Sequence, residues 1–599
     1  MPKKQPATAI RTRIVLAIAA ATVLVYLPAL SAPLVMDDVL GISANPSIQR
    51  LSTAFTPPPD LPVSGRPVAN VTLAINYAIA GPNGPHKTVG YHLFNLLIHL
   101  CAGALLFGVL RRAMRERRVP DDWKAVADPI AGIVATLWLL HPIQSEAVNY
   151  IVQRTESLAS LFYLAVLYCS IRAWAATGNG RLRWYAVAVV ACVLGTGSKE
   201  IAITAPLAVV LYDRAFHFDS WRALRGRLWF YVALVIATLG SFAAFAAGGR
   251  GLSAGFGHGT TWYAYLYTQC WAIGHYLFLT VWPAALSIDY APQAITGARG
   301  IAGAVILVAF AVAVILAWRN VPRFGWFAFA GTLFFMLLAP SSSIVPIPGE
   351  FVAERRMYLA LASVLLMAVV GAEWLRRRFA PAVAQRKLWL VFGGIAVLFA
   401  GTTAMRSHTY SRTELLWTDA TQKQPDNPRA WGNLGSEFTR ESPPRLAEAE
   451  SAFRAAMALD STCHFGCAQL AGVRMTQGRD AEAESLLVRT LAHDTANAPV
   501  ERSLALVMMK LDDFNGAIPH MRNVASRFPT EQHLLVLAIS DLAVSRERDA
   551  MAAFTTAARL YPNNPEISRA ASSLLGAARA SDAAPHLKQL AIGILEKLQ

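Results

Sequence analysis

The stretch IVLAIAAATVLVYLPALSAPLVMDD, residues 14–38, ends an apolar run with two adjacent carboxylates, Asp37 and Asp38. Its apolar part, residues 14–36, is long enough to cross the roughly 30 Å hydrocarbon core of a bilayer as a helix. A basic segment precedes it, so the alternative is a signal peptide cleaved after Ala32. We favour an uncleaved membrane helix, because the run is longer than the apolar region of a signal peptide. Asp37 and Asp38 then lie at the membrane edge opposite the basic N-terminus.

Composition places the whole chain among polytopic membrane proteins. Hydrophobic residues make up 55% of the 599 residues and charged residues only 15%, an unusual balance for a soluble protein. The formal net charge of +16 raises the question of nucleic acid. The basic residues, however, are dispersed in short loops between apolar runs and form no nucleic-acid-binding module. We therefore predict a membrane protein that binds no nucleic acid.

The positive-inside rule, which places short Lys- and Arg-rich loops in the cytoplasm, orients the apolar runs. The basic loops are the N-terminus and residues 111–124, 181–183, 214–227, 319–323 and 376–387. This orientation predicts an all-α membrane domain over residues 1–405, with about eleven transmembrane helices and a first outer loop over about residues 37–88. The apolar stretch 264–286 joins two outer segments, so we expect it to re-enter the membrane or to cross it twice. An odd number of crossings places residue 406 onward outside.

The segment 406–599 contains an internal repeat. Ala449, Ala483, Ala517 and Ala550 recur at spacings of 34, 34 and 33 residues. This is the period of the tetratricopeptide helix-turn-helix. We predict about four repeats that stack into a solenoid, with a concave groove suited to extended peptides. The alternative is that the array only braces the membrane domain.

Cys463 and Cys467 lie four residues apart within the predicted repeats. A metal site would need further ligands, and none is suggested nearby. A disulfide is the second alternative, because residues at this spacing on a helix are about one turn apart and an oxidising exterior permits the bond. We interpret both cysteines as structural packing residues.

The pair Asp37 and Asp38 is the first candidate for chemistry. Adjacent carboxylates repel one another, so one tends to keep a raised pKa, and the pair can divide acid, base and metal-binding duties. The alternative, two solvated loop acids, explains the pair of charges but not its position against the membrane.

Further charged and polar side chains cluster on the same predicted outer side or at the start of a span. They are Arg66, His141, Glu146, Arg154, Glu156, Lys199, Glu200, Glu354, Arg355, Arg356 and Tyr358. A charge at bilayer depth costs about 2.5–3.5 kcal/mol on insertion scales, so such residues usually have a function. Arginine binds phosphate in a bidentate manner and lysine binds it as a point charge. The set predicts a site for an anionic lipid head group, and the alternative is that individual side chains only snorkel to the interface.

Six segments resemble, in order, the transmembrane and tetratricopeptide-repeat-containing O-mannosyltransferases. They are MDDVLGISANPSI, GRPVANVTLAINYAI, GYHLFNLLIHL, LLHPIQSEAVNYIVQRTESLASLFYLAVL, GSKEIAITAPLAVVLYD and PSSSIVPIPGEFVAERRMYLALAS. The repeats follow them, so the resemblance covers nearly the whole chain. It implies a GT-C-class membrane glycosyltransferase, which moves a sugar from a polyprenyl-phosphate carrier to a protein Ser or Thr hydroxyl on the non-cytoplasmic side.

The resemblance also implies roles for the candidate residues. Asp37 is expected to be the base and Asp38 its partner, with inversion at the anomeric carbon by direct displacement. The remaining assignments are phosphate binding by Arg66, Arg154, Lys199, Arg355 and Arg356, and supporting roles for His141, Glu146, Glu200, Glu354 and Tyr358. A divalent metal ion is compatible with this chemistry, but the sequence does not require one.

The chain departs from the animal members in its short tail and its Ala- and Arg-rich composition. These features favour a bacterial chain in the inner membrane, with its repeats in the periplasm. The expected partners are a polyprenyl-phosphate-linked sugar, an acceptor protein held by the repeats, and membrane lipids. Mannose itself is implied only by the resemblance. The alternatives are an envelope oligosaccharide transferase or ligase, and a membrane scaffold without catalytic activity.

Overall fold

A computed structural model of the chain describes residues 7–59, 61–80, 88–246, 255, 260–291, 294–295, 297–343, 345–347, 349–460 and 462–562. In these ranges the regular elements are helices, and none is a strand. The chain divides into two compact units, Met1–Lys423 and Gln424–Gln599. Part of the predicted first outer loop (81–87), most of residues 248–259 and the end of the tail (563–599) lie outside the described residues.

The first unit contains sixteen α-helices among its described residues. They are α1 (Ala7–Tyr26), α2 (Pro67–Ala80), α3 (Val89–Ala113), α4 (Asp121–Lys124), α5 (Ala127–Leu140), α6 (Ser145–Asn149), α7 (Arg154–Trp174), α8 (Gly178–Thr196), α9 (Ala205–Tyr212), α10 (Leu228–Ala246), α11 (Trp262–Val281), α12 (Ala298–Arg319), α13 (Val321–Leu338), α14 (Met357–Phe379), α15 (Gln385–Tyr410) and α16 (Thr413–Lys423). Short 3-10 or π turns join several of them.

Seven of the described helices are long and apolar enough to cross a membrane. These are α3, α7, α10, α12, α13, α14 and α15, and three shorter apolar helices correspond to α1, α2 and α5. The predicted total of about eleven crossings stays a prediction. The stretch 264–286, expected to re-enter or to cross twice, forms one continuous helix, α11, followed by a 3-10 turn at Pro283–Ala285.

The first apolar run is helical over less of its length than expected. The helical part ends with a 3-10 turn at Leu27–Ala29, and residues 32–35 have no regular structure. Proline explains the ending, because Pro28 lacks the N–H that would continue the α-helix. The predicted single helix over residues 14–36 is therefore wrong at its C-terminal end. Its last residues lead into the segment that carries Asp37 and Asp38.

The core of the first unit surrounds α3, α5, α7 and α14. Trp138 on α5 is fully buried and donates its indole N–H to the Tyr358 carbonyl on α14 (2.7 Å). The Tyr358 hydroxyl in turn pairs with His99 Nδ1 on α3 (2.8 Å). These bonds stabilise three helices in one register, because buried donors and acceptors need partners. The start of α14 is thereby held against α3 and α5.

The first unit extends past the predicted domain boundary at residue 405. Helix α15 continues to Tyr410, and Arg406 pairs with Asp419 on α16 (2.5 Å). Lys423, the last residue of α16, donates to the Leu286 carbonyl (2.8 Å). These contacts explain why the division falls after Lys423.

The second unit contains four consecutive helix pairs in its described part. They are α17 (Pro428–Arg440) with α18 (Leu446–Leu459), α19 (Cys467–Thr476) with α20 (Asp480–His493), α21 (Ala498–Lys510) with α22 (Phe514–Arg527), and α23 (Glu531–Ala543) with α24 (Glu547–Leu560). The four repeated alanines lie one in each second helix, and each is at most 1% exposed. The small residue permits close packing at that place, which gives the sequence period a structural reason.

Cys463 and Cys467 form a disulfide, with their Cα atoms 5.4 Å apart. This corrects the expectation of packing alone. The two residues do not share a helix, because residues 462–466 form a turn and α19 begins at Cys467. Gly466 takes a φ of +96°, a conformation that favours glycine, and this reverses the chain between the two sulfur atoms.

Candidate active site

Asp38 is a buried acceptor that anchors the segment after the first apolar run. Its side chain is fully buried and accepts the backbone N–H groups of Val35 (3.2 Å) and Val152 (2.7 Å). Burial raises the pKa of Asp38 to about 7, although these N–H donors act in the opposite direction. Met36, with a φ of +47°, makes the turn that brings the carboxylate back toward Val35. Asp38 therefore connects the first outer segment to the chain that enters α7.

Asp37 is half-buried and lies beside the Tyr150 side chain. Its backbone N–H donates to the Tyr150 hydroxyl (2.8 Å). Burial is the main cause that raises the pKa of the Asp37 carboxyl, and the Glu350 charge adds to it. The Arg355 and Arg66 charges act in the opposite direction. A carboxylate with a raised pKa that a ligand can still reach is suited to accept a proton.

Arg355 lies next to this carboxylate, held by two acidic partners. Its guanidinium forms ion pairs with Glu146 on α6 and with Glu350, and its backbone N–H donates to the Glu146 carboxylate (2.8 Å). Burial raises the pKa of Glu146, and the Arg355 charge opposes this. The arginine is 7% exposed, so its orientation is determined by these contacts. Glu146 thus positions Arg355 toward Asp37.

Two further cations belong to the same group. Arg66, just before α2, pairs with Glu200 (3.0 Å), and Lys199 pairs with Glu156 on α7 (2.5 Å). Burial lowers the pKa of Lys199, and the positive charges of Arg66 and Arg355 lower it further. The three cations are therefore close enough to affect one another. One buried donor of Arg66, its Nε, has no hydrogen-bond partner among the described residues.

These residues form what we call the Asp37 cluster. It consists of Asp37, Arg66, Glu146, Tyr150, Glu156, Lys199, Glu200, Glu350 and Arg355. Tyr150 and Glu350 are absent from the residues predicted from sequence. A signal was present, since both lie inside the resembling segments, but neither is distinguished there from the surrounding polar residues.

Arg154 lies outside the Asp37 cluster, in the core between helices. It is fully buried and donates to Asn95 on α3 (2.8 Å), to Asn76 on α2 (2.6 Å) and to the Tyr91 carbonyl (2.9 Å). All three guanidinium nitrogens are therefore satisfied within the protein. This geometry favours a structural role that connects α2, α3 and α7, and phosphate binding by Arg154 stays a prediction.

His141 and Tyr358 also have structural contacts. His141 is fully buried, with Nε2 3.0 Å from the Thr280 carbonyl, and its Nδ1 accepts the Ile143 N–H (3.1 Å). Burial lowers the pKa of His141 to about 4, so the ring is neutral at neutral pH. Tyr358 is part of the bonded set with Trp138 described above. Neither side chain belongs to the Asp37 cluster.

Glu354 and Arg356 flank Arg355 and secure the segment that carries it. Glu354 accepts the Ser287 N–H (2.6 Å) and the Tyr290 hydroxyl (2.7 Å). Arg356 donates to the Glu350 carbonyl (2.6 Å) and to the Phe351 carbonyl (3.1 Å). Their contacts determine where Glu350 and Arg355 lie, so they support the cluster from behind.

The first outer segment has its own polar support. Asn45 donates to the Asn70 side chain on α2 (2.9 Å), and Asn70 donates to Ser47 (2.9 Å) and to the Ala54 carbonyl (2.8 Å). All these side chains are buried. The network limits the movement of residues 45–54 relative to α2, and so keeps Asp37 and Arg66 in place.

In the described ranges, no three His, Cys, Asp or Glu side chains come together as ligands for a metal ion. Asp37 and Glu350 are two carboxylates that affect each other electrostatically, and Arg355 lies with them.

Comparison with known proteins gives a consistent set of relatives. No family model matches the chain. It is 32% identical over 203 residues to the protein O-mannosyl-transferase Tmtc2 of Drosophila melanogaster, which covers 31% of this chain and 20% of the relative. It is 24% identical over 436 residues to the protein O-mannosyl-transferase F38B6.6 of Caenorhabditis elegans, covering 69% of this chain and 58% of the relative. In both cases the match spans less than two thirds of the relative's length, and in both the relative is a protein O-mannosyl-transferase by name.

Proposed function

We propose that this protein is a membrane glycosyltransferase of the GT-C class that moves a sugar, mannose by analogy with its relatives, from a polyprenyl-phosphate carrier to Ser or Thr hydroxyls of proteins. The observation that carries the proposal is the Asp37 cluster, in which a half-buried carboxylate with a raised pKa lies among Arg66, Lys199 and Arg355. The similarity to protein O-mannosyl-transferases supports the same reaction class.

In the proposed reaction, the Asp37 carboxylate accepts the proton of the acceptor hydroxyl. The hydroxyl oxygen then forms a bond to the anomeric carbon, while the bond from that carbon to the phosphate oxygen breaks. The electron pair leaves with the lipid phosphate, whose negative charge the Arg66, Lys199 and Arg355 cations stabilise. A single displacement of this kind inverts the anomeric centre.

The two adjacent carboxylates have different tasks in this proposal. Asp37 is the base because it is reachable, whereas Asp38 is fully buried and accepts two backbone N–H groups. Asp38 holds the turn so that the Asp37 side chain keeps its orientation toward the cations. Preorganised charges of this kind lower a barrier because they need no rearrangement during the reaction.

We further propose that the second unit is a tetratricopeptide solenoid that holds the acceptor protein. On this proposal the chain lies in a bacterial inner membrane, with the Asp37 cluster and the repeats on the periplasmic side. Deleting residues 424–599 should impair acceptor selection more than binding of the donor lipid. The test compares the truncated and full chains in two measurements, donor affinity by tryptophan quenching and sugar transfer to acceptor proteins. An equal loss of both would contradict the proposal.

The decisive experiment is mass spectrometry of hexose on Ser and Thr of envelope proteins, from cells that lack this chain. The cells are complemented with wild type, with Asp37→Asn or with Asp121→Asn. Asp121 is the matched control, because it is a carboxylate at a basic loop, paired with Lys124. Hexose restored by wild type and by Asp121→Asn but not by Asp37→Asn supports the proposal. Equal restoration by Asp37→Asn would overturn it in favour of a different active site or a scaffold.

A further inference from the structure

An apolar cavity of about 850 Å³ lies in the first unit, away from the Asp37 cluster. The ends of α3, α12 and α14, the start of α13 and the π turn Asp213–His217 line it. It shares no residue with the Asp37 cluster. From the start of α14 at Met357 to Trp374 in the cavity wall, the helix rises about 25 Å. The cavity is therefore at the other end of α14 from Arg355.

The cavity has the shape and lining of a ligand site for an apolar chain. Its volume lies within the range of about 300–1,000 Å³ that is typical of ligand pockets. Apolar side chains form most of its wall, and Leu316 (51% exposed) and Trp374 (40% exposed) are where it meets the surface. Gly371 faces open space, since a Cβ added there would meet nothing within 4 Å.

Two arginines, Arg118 and Arg323, also line the cavity. Arg118 donates to the Arg214 carbonyl (3.0 Å) and the Phe218 carbonyl (2.6 Å), so its guanidinium is hydrogen-bonded to the protein backbone. Arg323 is exposed, lies over the Phe324 ring, and has no carboxylate partner among the described residues. By contrast Arg377, on the same end of the molecule, pairs with Glu373 and Asp122. Arg323 is thus a cation at the cavity whose counter-charge does not come from the described chain.

We propose that this cavity binds one anionic membrane phospholipid, with an acyl chain inside it and the head-group phosphate at Arg323. Three observations support the assignment: the apolar lining, the cation beside it, and the position at the Lys- and Arg-rich ends of membrane helices. Basic pockets between membrane helices on the cytoplasmic side are known to take anionic head groups. The site is independent of the transferase reaction, so its test does not depend on the proposed function.

The test uses the full chain, purified in detergent and delipidated. Palmitoyl-oleoyl phosphatidylglycerol or palmitoyl-oleoyl phosphatidylcholine is added at equal concentration, and bound lipid is counted by native mass spectrometry. We expect one retained phosphatidylglycerol per chain and about fivefold weaker retention of phosphatidylcholine, because its choline cation cancels the phosphate charge and one arginine near the membrane surface contributes about 1 kcal/mol. Equal retention of the two lipids would overturn the proposal that the head group is recognised.

Two variants locate the lipid. Gly371→Phe fills the cavity and should weaken phosphatidylglycerol retention by at least about tenfold. Arg323→Gln should reduce it to the level of phosphatidylcholine, whereas Arg319→Gln, an exposed arginine nearby that does not line the cavity, should leave it unchanged. Retention that is unaffected by Gly371→Phe, or reduced equally by both arginine variants, would overturn the site.

Two further measurements complete the test. If Gly371→Phe does not elute as a monodisperse protein with wild-type helical content, Ala313→Phe is used instead, because Ala313 on α12 lines the same cavity. Undecaprenyl phosphate added at equimolar concentration should not displace the phosphatidylglycerol. Full displacement would assign the cavity to a polyprenyl chain and contradict the proposal.

Discussion

Helix α14 has charged side chains at both of its ends, and the two ends differ in how deeply these side chains are buried. Before its first turn, Glu354, Arg355 and Arg356 are all buried, and each is bonded to other parts of the first unit. In its last turn, Arg376 and Arg377 are half-buried and pair with Glu373, while Arg378 is exposed. Burying charge requires paired partners, so the first end is built for a defined geometry. At the second end only Glu373 is fully buried, paired with Arg376 and Arg377, and the arginines themselves reach the surface. Basic residues at such a helix end suit orientation in the membrane.

The largest expected effect separates two carboxylates, Asp37 in the Asp37 cluster and Asp121 on α4, which is paired with Lys124. Asp37→Asn removes the proposed proton acceptor, and general-base catalysis contributes about 10²–10⁴-fold, so transfer should fall by that factor. Asp121→Asn, outside the Asp37 cluster, should leave the transfer rate unchanged. The measurement is transfer of radiolabelled mannose from polyprenyl phosphate mannose to membrane proteins in vesicles. Unchanged transfer in Asp37→Asn would mean that Asp37 is not the proton acceptor.

A second comparison concerns stability. Arg355→Ala leaves Glu146 buried without its cation, and breaking a buried pair in this way costs about 3–5 kcal/mol. We expect a clear drop in the thermal unfolding midpoint in detergent, measured by intrinsic fluorescence. Arg378→Ala, at the exposed end of the same helix, is the control and should not change the midpoint. A variant Arg355→Ala as stable as wild type would mean that the pair does not position the segment.

Donor binding gives a smaller difference. Lys199→Ala should weaken binding of the polyprenyl-phosphate donor by about 10- to 100-fold, because a hydrogen bond to a charged group contributes about 1.5–3 kcal/mol. Lys124→Ala, on α4, should leave the donor affinity unchanged. Isothermal titration with polyprenyl phosphate in detergent measures both. Unchanged affinity in Lys199→Ala would place the phosphate elsewhere.

The last comparison is a pH dependence of stability at Asp38. Its pKa is about 7 in the folded protein and 3.8 as the ordinary value, so the folded state binds more protons between about pH 4 and 7. Stability from this group is therefore full below about pH 4 and is lost as the pH rises toward 7. In Asp38→Asn that loss disappears, so the unfolding midpoint of the variant relative to wild type should rise over this range. His141 has the opposite slope in both proteins and cancels in the difference. A difference in unfolding midpoint between Asp38→Asn and wild type that does not change with pH would contradict the raised pKa of Asp38.

The sequence identified the Asp37 cluster in part. Seven of its residues are visible without a structure, since they are charges beside apolar runs: Asp37, Arg66, Glu146, Glu156, Lys199, Glu200 and Arg355. Tyr150 and Glu350 were missed, because their proximity to Asp37 results from contacts across more than a hundred residues. Arg154 resembles its neighbours in the sequence, yet it is fully bonded inside the core. The disulfide between Cys463 and Cys467 depends on a turn that the repeat pattern did not predict.

The membrane character, the helical class, the acidic pair and the period of the second unit follow from the order of residues alone. They depend on hydrophobicity and charge along short stretches, and the bilayer and the helix act on those locally. The tertiary structure decided the different burial of Asp37 and Asp38 and the complete hydrogen bonding of Arg154. It also decided the proximity of Arg66, Lys199 and Arg355 and the cavity between the helices. Each of them depends on which helices pack together and on how deeply a group is buried, because burial and long-range contacts set pKa values and leave or fill space.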